Sequence, residues 1–111
     1  MSWNIVDRGD FILYSNKFIN LKVKVYETLD KDKVYMNYKG YNITTAMFIW
    51  QFEEYLEFAS IEDVSMEGEQ FDEYFIINRK DRNRFLDEMY YFLMENKIES
   101  LATATYKGEW K

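Results

Sequence analysis

From Phe18 to Tyr26 the chain reads FINLKVKVY, with Ile19, Leu21, Val23 and Val25 alternating with Asn20, Lys22 and Lys24. Successive side chains of a strand point to opposite faces, so this period of two predicts a strand with one face in a core and the other in water. The polar TLDKDK then supplies a turn, and KVYMNY, Lys33 to Tyr38, is expected to return as the antiparallel partner. Upstream, DFILYS predicts a further strand, and the Lys39-Gly40 step closes the β region.

The period changes at Thr44. Placed at 100° per residue, Phe48, Ile49, Phe52, Tyr55, Leu56 and Ala59 share one arc of about 120°, which predicts a helix over 44–59 capped by Thr44 or Asn42. Glu53, Glu54 and Glu57 fall on the opposite side of that helix, with Trp50 in their midst. An acidic connection interrupted by Gly68 follows, and then EYFII, an unbroken apolar run expected to form a strand buried on both faces. A second helix is predicted from Arg79 to about Asn96, with Asn78 as its cap and Phe85, Leu86, Met89, Phe92 and Leu93 facing inward. Its outer face mixes signs, with Arg84 and Glu88 at the helix-supporting i,i+4 spacing. LATATY near the C-terminus is a candidate edge strand.

Strands first, then helix, strand and helix, define an α+β domain: a small antiparallel sheet, β-β-β-α-β-α along the chain, packed with two helices. At 111 residues the expectation is one domain, able to bury roughly two-thirds of its unfolded surface.

Charge changes the picture, because it is uneven. Residues 1–39 carry seven bases and five acids, and residues 79–111 seven bases and six acids. Residues 40–78 carry nine acids and no base, so this middle segment accounts for the whole imbalance behind the net charge of −6. Stability does not favour such a run. Glu53 and Glu57 are like charges at i,i+4, and Glu54 and Glu57 at i,i+3, each pair costing roughly 0.2–0.5 kcal/mol. All three also sit toward the predicted helix C-terminus, where the macrodipole favours cations. The carboxylates continue beyond the helix at Glu62, Asp63, Glu67, Glu69, Asp72 and Glu73.

A solvated surface, neutralised by lysines folded over from the first strands, is one account of this run. The other is a docking face, since one-signed surfaces speed association and select complementary partners. Trp50 among the carboxylates suits an interface anchor with a charged rim. Strongly basic surfaces often belong to proteins that neutralise phosphates, and carboxylates spread over a helix and loop can stand in for a phosphate array. That is the logic of small acidic phage inhibitors of nucleases and of bacterial immunity proteins. The candidate partner-binding residues are therefore Trp50, Glu53, Glu54, Glu57, Glu62, Asp63, Glu67, Glu69, Asp72 and Glu73, and the expected partner is a basic protein, a nucleic-acid-processing enzyme or toxin.

Missing residues narrow the chemistry. There is no histidine and no cysteine, which removes the commonest general base and metal ligand, thiolate nucleophiles, disulfides and zinc–sulfur sites. No GxxxxGK[ST], GxGxxG or GxSxG string occurs. Asp30 and Asp32 in LDKDKV open like a calcium loop, but Val34 stands where the third acid belongs. The acids at 62–73 have no companion lysine of the kind metal-dependent nucleases use. A non-catalytic protein with no cofactor and no metal is the expectation.

Two further readings compete. Lys22 and Lys24 beside Tyr26 and Tyr35 form a candidate face for single-stranded nucleic acid, with NRKDRNR, Asn78 to Arg84, as a second basic cluster. Interleaved acids and the net negative charge argue instead for a solvated strand face and no direct nucleic-acid contact. A self-assembling structural protein is the other alternative. The opening MSWNIVDRGD has no basic region followed by an apolar run, and no stretch nears the roughly 20 apolar residues of a membrane span, so a cytoplasmic location is expected. The lysine excess over arginine, ten to four, points to an AT-rich genome such as that of a low-GC bacterium or its phage.

Overall fold

Alternation governs the sheet. The computed structural model describes residues 3–26, 30–56, 61–65, 74–96, 98 and 100, without the side chains of 46 and 62–65. Six strands form one antiparallel sheet: β1 (Asn4–Asp7), β2 (Phe11–Ser15), β3 (Ile19–Tyr26), β4 (Lys31–Tyr38), β5 (Ile61–Ser65) and β6 (Tyr74–Asn78), in spatial order β1-β2-β3-β4-β6-β5. Between β4 and β5 runs helix α1 (Thr45–Glu53), and after β6 a 3₁₀ turn (Arg79–Asp81) leads into helix α2 (Arg82–Asn96). The architecture is α+β, as the periodicities predict.

Register shows which residues share a face. Leu21 lies opposite Met36, Val23 opposite Val34, and Val34 opposite Phe75. With Tyr14, Ile19 and Ile77 they make the sheet's inner side, to which the helices contribute Phe48, Ile49, Phe52, Phe85, Leu86, Met89, Phe92 and Leu93. Rings join the layers: Phe48 meets Tyr38 of the sheet at 5.8 Å and Phe92 of α2 at 5.4 Å, and Phe85 meets Phe75 at 5.2 Å. Both helices therefore cover the same sheet face. The five inward residues expected of the second helix are all buried, and so are Phe75, Ile76 and Ile77 of the apolar run.

Four details differ from the sequence reading. The first helix stops at Glu53 rather than Ala59, and Tyr55 and Leu56 both donate backbone N–H groups to the Phe52 carbonyl as the chain leaves it. Its last turn holds no base, so nothing offsets glutamates placed at the negative end of the helix dipole. The second helix begins at Arg82, because residues 79–81 form the tighter 3₁₀ turn, and Asn78 makes no capping bond. Val25 is exposed, since the residue opposite it on the inner side is Asp32, whose neighbours are arginines and not the apolar cluster. Finally, two strands join the sheet unannounced: β1, wholly exposed, and β5, within the acidic segment.

Turn chemistry fixes the ends. Gly9, at φ 90°, takes the left-handed conformation between β1 and β2, and its N–H donates to Asp7 Oδ1 at 2.9 Å. Gly40, at φ 79°, turns the chain after β4. Of the two candidate caps, Thr44 does the work: its hydroxyl accepts from the Met47 N–H at 3.0 Å. The candidate edge strand LATATY lies outside the described residues.

Candidate functional site

Trp50 leaves the core because of its helical phase. Phe48, Ile49 and Phe52 are buried, and Trp50, between them in sequence, projects from the far side of α1 with 58% of its surface exposed. Glu53, the last residue of α1, and Glu54, its C-cap, follow at i+3 and i+4 and are exposed as well. That spacing brings both glutamates beside the indole. Neither glutamate takes part in the ion pairs that Arg79 and Arg82 make with Asp30 and Asp32. The lysines of the first strands do not fold over to neutralise this part of the acidic run.

The other acids are placed differently. Glu62 and Asp63 lie in β5, at the edge of the sheet, and not in a loop. Charge on an edge strand discourages pairing with other chains, so these two have a structural reason to be acidic. Glu57, Glu67, Glu69, Asp72 and Glu73 lie outside the described residues. Three of the ten candidates, Trp50, Glu53 and Glu54, are therefore brought together with their exposure defined.

Within the basic cluster NRKDRNR, Arg79 and Arg82 are not free surface. Arg79 Nε donates to Asp32 Oδ1 at 3.2 Å and Arg82 Nε to Asp32 Oδ2 at 2.7 Å, while Asp32 itself is fully buried. Arg79 also donates to the Lys31 carbonyl and faces Asp30 at 3.6 Å. The hydrogen bond that Arg82 donates to Asp32 raises the Arg82 pKa, with burial opposing it. These arginines tie α2 to β4 and are spent there. The pattern was partly legible: Asp32 has the same parity as Val34 and Met36, which extends the inward side of β4 back to a charged residue.

A different set of cations joins no ion pair among the described residues. On the sheet face turned away from the helices stand Lys22 and Lys24 of β3 and Lys33 of β4, among Phe11, Tyr26, Tyr35 and Tyr74. Lys22 Nζ lies 5.2 Å from the Phe11 ring centroid and 5.4 Å from that of Tyr35; Lys33 Nζ lies 5.0 Å from Tyr26 and 4.9 Å from Tyr74. Tyr35 and Tyr74 touch at 5.3 Å. The aspartate that interleaves these lysines in sequence, Asp32, faces the opposite side.

Among the described residues no three carboxylates cluster in a way that would hold a metal ion, and no helix is long and apolar enough to cross a membrane. Comparison with known family models, curated proteins and solved structures finds no match. Function must be argued from the surfaces themselves.

Proposed function

We propose that this chain is a non-catalytic binding protein that docks on a basic partner through the outer side of α1 and the acidic residues continuous with it in sequence. The observation that carries the reading is the exposed Trp50 with Glu53 and Glu54 beside it, uncompensated by any described cation. A large ring left in water contributes little to folding and much to an interface, where tryptophan is enriched among the residues that dominate binding energy. The glutamates supply charge selectivity around it.

The partner that suits such a surface is one whose own positive charge exists to hold phosphates, a nucleic-acid enzyme or a toxin of that class. Glutamates would occupy its phosphate positions and the indole a pocket between them, blocking nucleic acid by steric and electrostatic occlusion. Glu57, Glu62, Glu67, Glu69, Asp72 and Glu73 would widen the same negative field, whereas Asp63 falls in register on the sheet face turned from the helices.

Capture from a bacterial lysate, followed by mass spectrometry, tests this with two baits: the native chain and the Glu53→Lys, Glu57→Lys double variant. A basic protein retained by the first and lost with the second is the expected result. Equal capture by both moves the docking face elsewhere.

A further inference from the structure

We infer that the open face of the sheet is a binding site for single-stranded nucleic acid, formed by Lys22, Lys24, Lys33 and the rings of Phe11, Tyr26, Tyr35 and Tyr74. This departs from the expectation that the chain makes no direct nucleic-acid contact, and it is independent of the docking surface on α1.

The first support is a like-charge pair, set against the cation–π contacts that Lys33 makes with Tyr26 and Tyr74. In the β3–β4 register Lys24 lies directly opposite Lys33. Like charges directly opposite are destabilising, and opposite charges there stabilise a sheet. A face selected only for solvation has every reason to place a carboxylate at one of these positions. Instead β2, β3, β4 and β6 carry no acid on this side, and Asp32 is turned inward onto Arg79 and Arg82; Asp63 of edge strand β5 falls on this side in register, opposite Ile76, with β6 between it and Lys33.

The second support is the rings. Four aromatic side chains lie on a face that neither helix covers, each half-buried, and each has a lysine ammonium within 5.4 Å of its centroid. Two of the lysines are thereby held low between pairs of rings while Lys24 stands exposed beside them. A phosphate drawn to such an ammonium has its base delivered next to an aromatic surface. Positive charge alternating with stacking platforms is how proteins take single strands without reading sequence. An acidic peptide would use the lysines and leave the rings without a role.

The third point concerns the net charge of −6, which opposes phosphate at long range. Trp50, Glu53 and Glu54 lie on the far side of α1, and a helix with its side chains is about 10–12 Å across. That exceeds the Debye length of about 8 Å at physiological ionic strength. The field of Glu53 and Glu54 is thus attenuated at a strand lying on the sheet.

The experiment is fluorescence anisotropy of a labelled oligothymidylate titrated with the intact chain. Saturable binding is expected, with log affinity falling against log salt at a slope of about −2, the value for three phosphates neutralised on a single strand. Lys22→Glu with Lys33→Glu should abolish it, and Tyr35→Ala should weaken it about fivefold or more through lost stacking. Glu53→Lys or Trp50→Ala should not weaken it. If the charge reversals fail to fold, by circular dichroism, Lys22→Gln with Lys33→Gln replaces them and should weaken binding tenfold or more. No binding at low salt overturns the assignment, as does binding that ignores the lysine changes. Equal affinity for a duplex, whose bases are sealed in the stack, or for a polyglutamate peptide overturns it in favour of a bare charge site. Light scattering that shows self-association through the same lysines, without oligonucleotide binding, assigns the face to a second copy and also overturns it.

Discussion

Arg82 Nε donates to Asp32 Oδ2 at 2.7 Å across 50 residues of chain, joining the start of α2 to the middle strand β4. The carboxylate is wholly inside, while the Arg82 side chain keeps 22% and the Arg79 side chain 36% of its surface in contact with solvent. The two ends of this cluster are therefore not equivalent. Without the carboxylate, the guanidinium groups can still reach water. Without the arginines, the charge on Asp32 has nowhere to go.

Arg79→Ala with Arg82→Ala should therefore destabilise the fold more than Asp32→Asn. Leaving a buried charge unpaired costs about 3–5 kcal/mol. The asparagine change leaves a neutral group that can still accept, at about 1–3 kcal/mol. Urea denaturation of the variants measures both. The opposite order would mean that the arginines, not the aspartate, are the poorly solvated partners. The raised pKa of Arg82 adds stability that is complete below the ordinary guanidinium pKa and is lost only as pH climbs through the raised value. Over the working range of the protein that contribution is constant.

The caps separate cleanly. Thr44 accepts a hydrogen bond from the Met47 N–H, whereas Asn78 makes no side-chain cap bond. Thr44→Ala should cost about 1 kcal/mol, and Asn78→Ala should stay within about 0.5 kcal/mol. Comparable losses at both positions, in thermal melts, would show that residue type and not the observed bond sets the helix boundary.

What could be read from the sequence follows what water does to each strand. β3 and β4 carry buried positions at alternate residues and β6 an unbroken buried run, so their patterns are visible, as are the inward residues of both helices. β1 has no buried residue among its four, and a strand exposed throughout leaves no periodicity to find. β5 was hidden by its acids, which read as a connection when they belong to an edge strand. Trp50 was correctly placed opposite the core by helical phase alone. The Asp32 cluster depends on partners 47 and 50 residues away, a distance at which periodicity carries no information. Segregation of the lysines was written in the parity of INLKVKVY and KDKVYMNY, but only the strand register shows Lys24 facing Lys33 across the sheet.

Two neighbouring residues of α1 should divide stability from binding. Phe52 is fully buried and meets Phe48, Phe85 and Phe92 at 5.5, 5.3 and 5.1 Å. Phe52→Ala should cost about 3–5 kcal/mol. Trp50→Ala removes a mostly exposed ring and should shift stability by under about 1 kcal/mol, while reducing capture of the basic partner at least tenfold. Differential scanning calorimetry and the lysate capture, run on the same preparations, give both numbers. A Trp50 variant that melts early but binds normally returns this ring to a structural role.

Salt separates a charged docking face from an apolar one. Glu53 and Glu54 are exposed, so any attraction they exert travels through water and is screened, with a Debye length falling from about 10 Å at 0.1 M to about 3 Å at 1 M ionic strength. Partner capture should therefore decline steeply as sodium chloride rises through this range, mainly through slower association, because rim charges act on the encounter rate more than on dissociation. The indole contact is apolar and should persist, which leaves a weak, salt-insensitive remainder that Trp50→Ala abolishes. Surface plasmon resonance with the captured partner resolves the two rates. Association that stays constant across the salt series would show that the glutamates do not steer the encounter, and would leave Trp50 alone to account for binding.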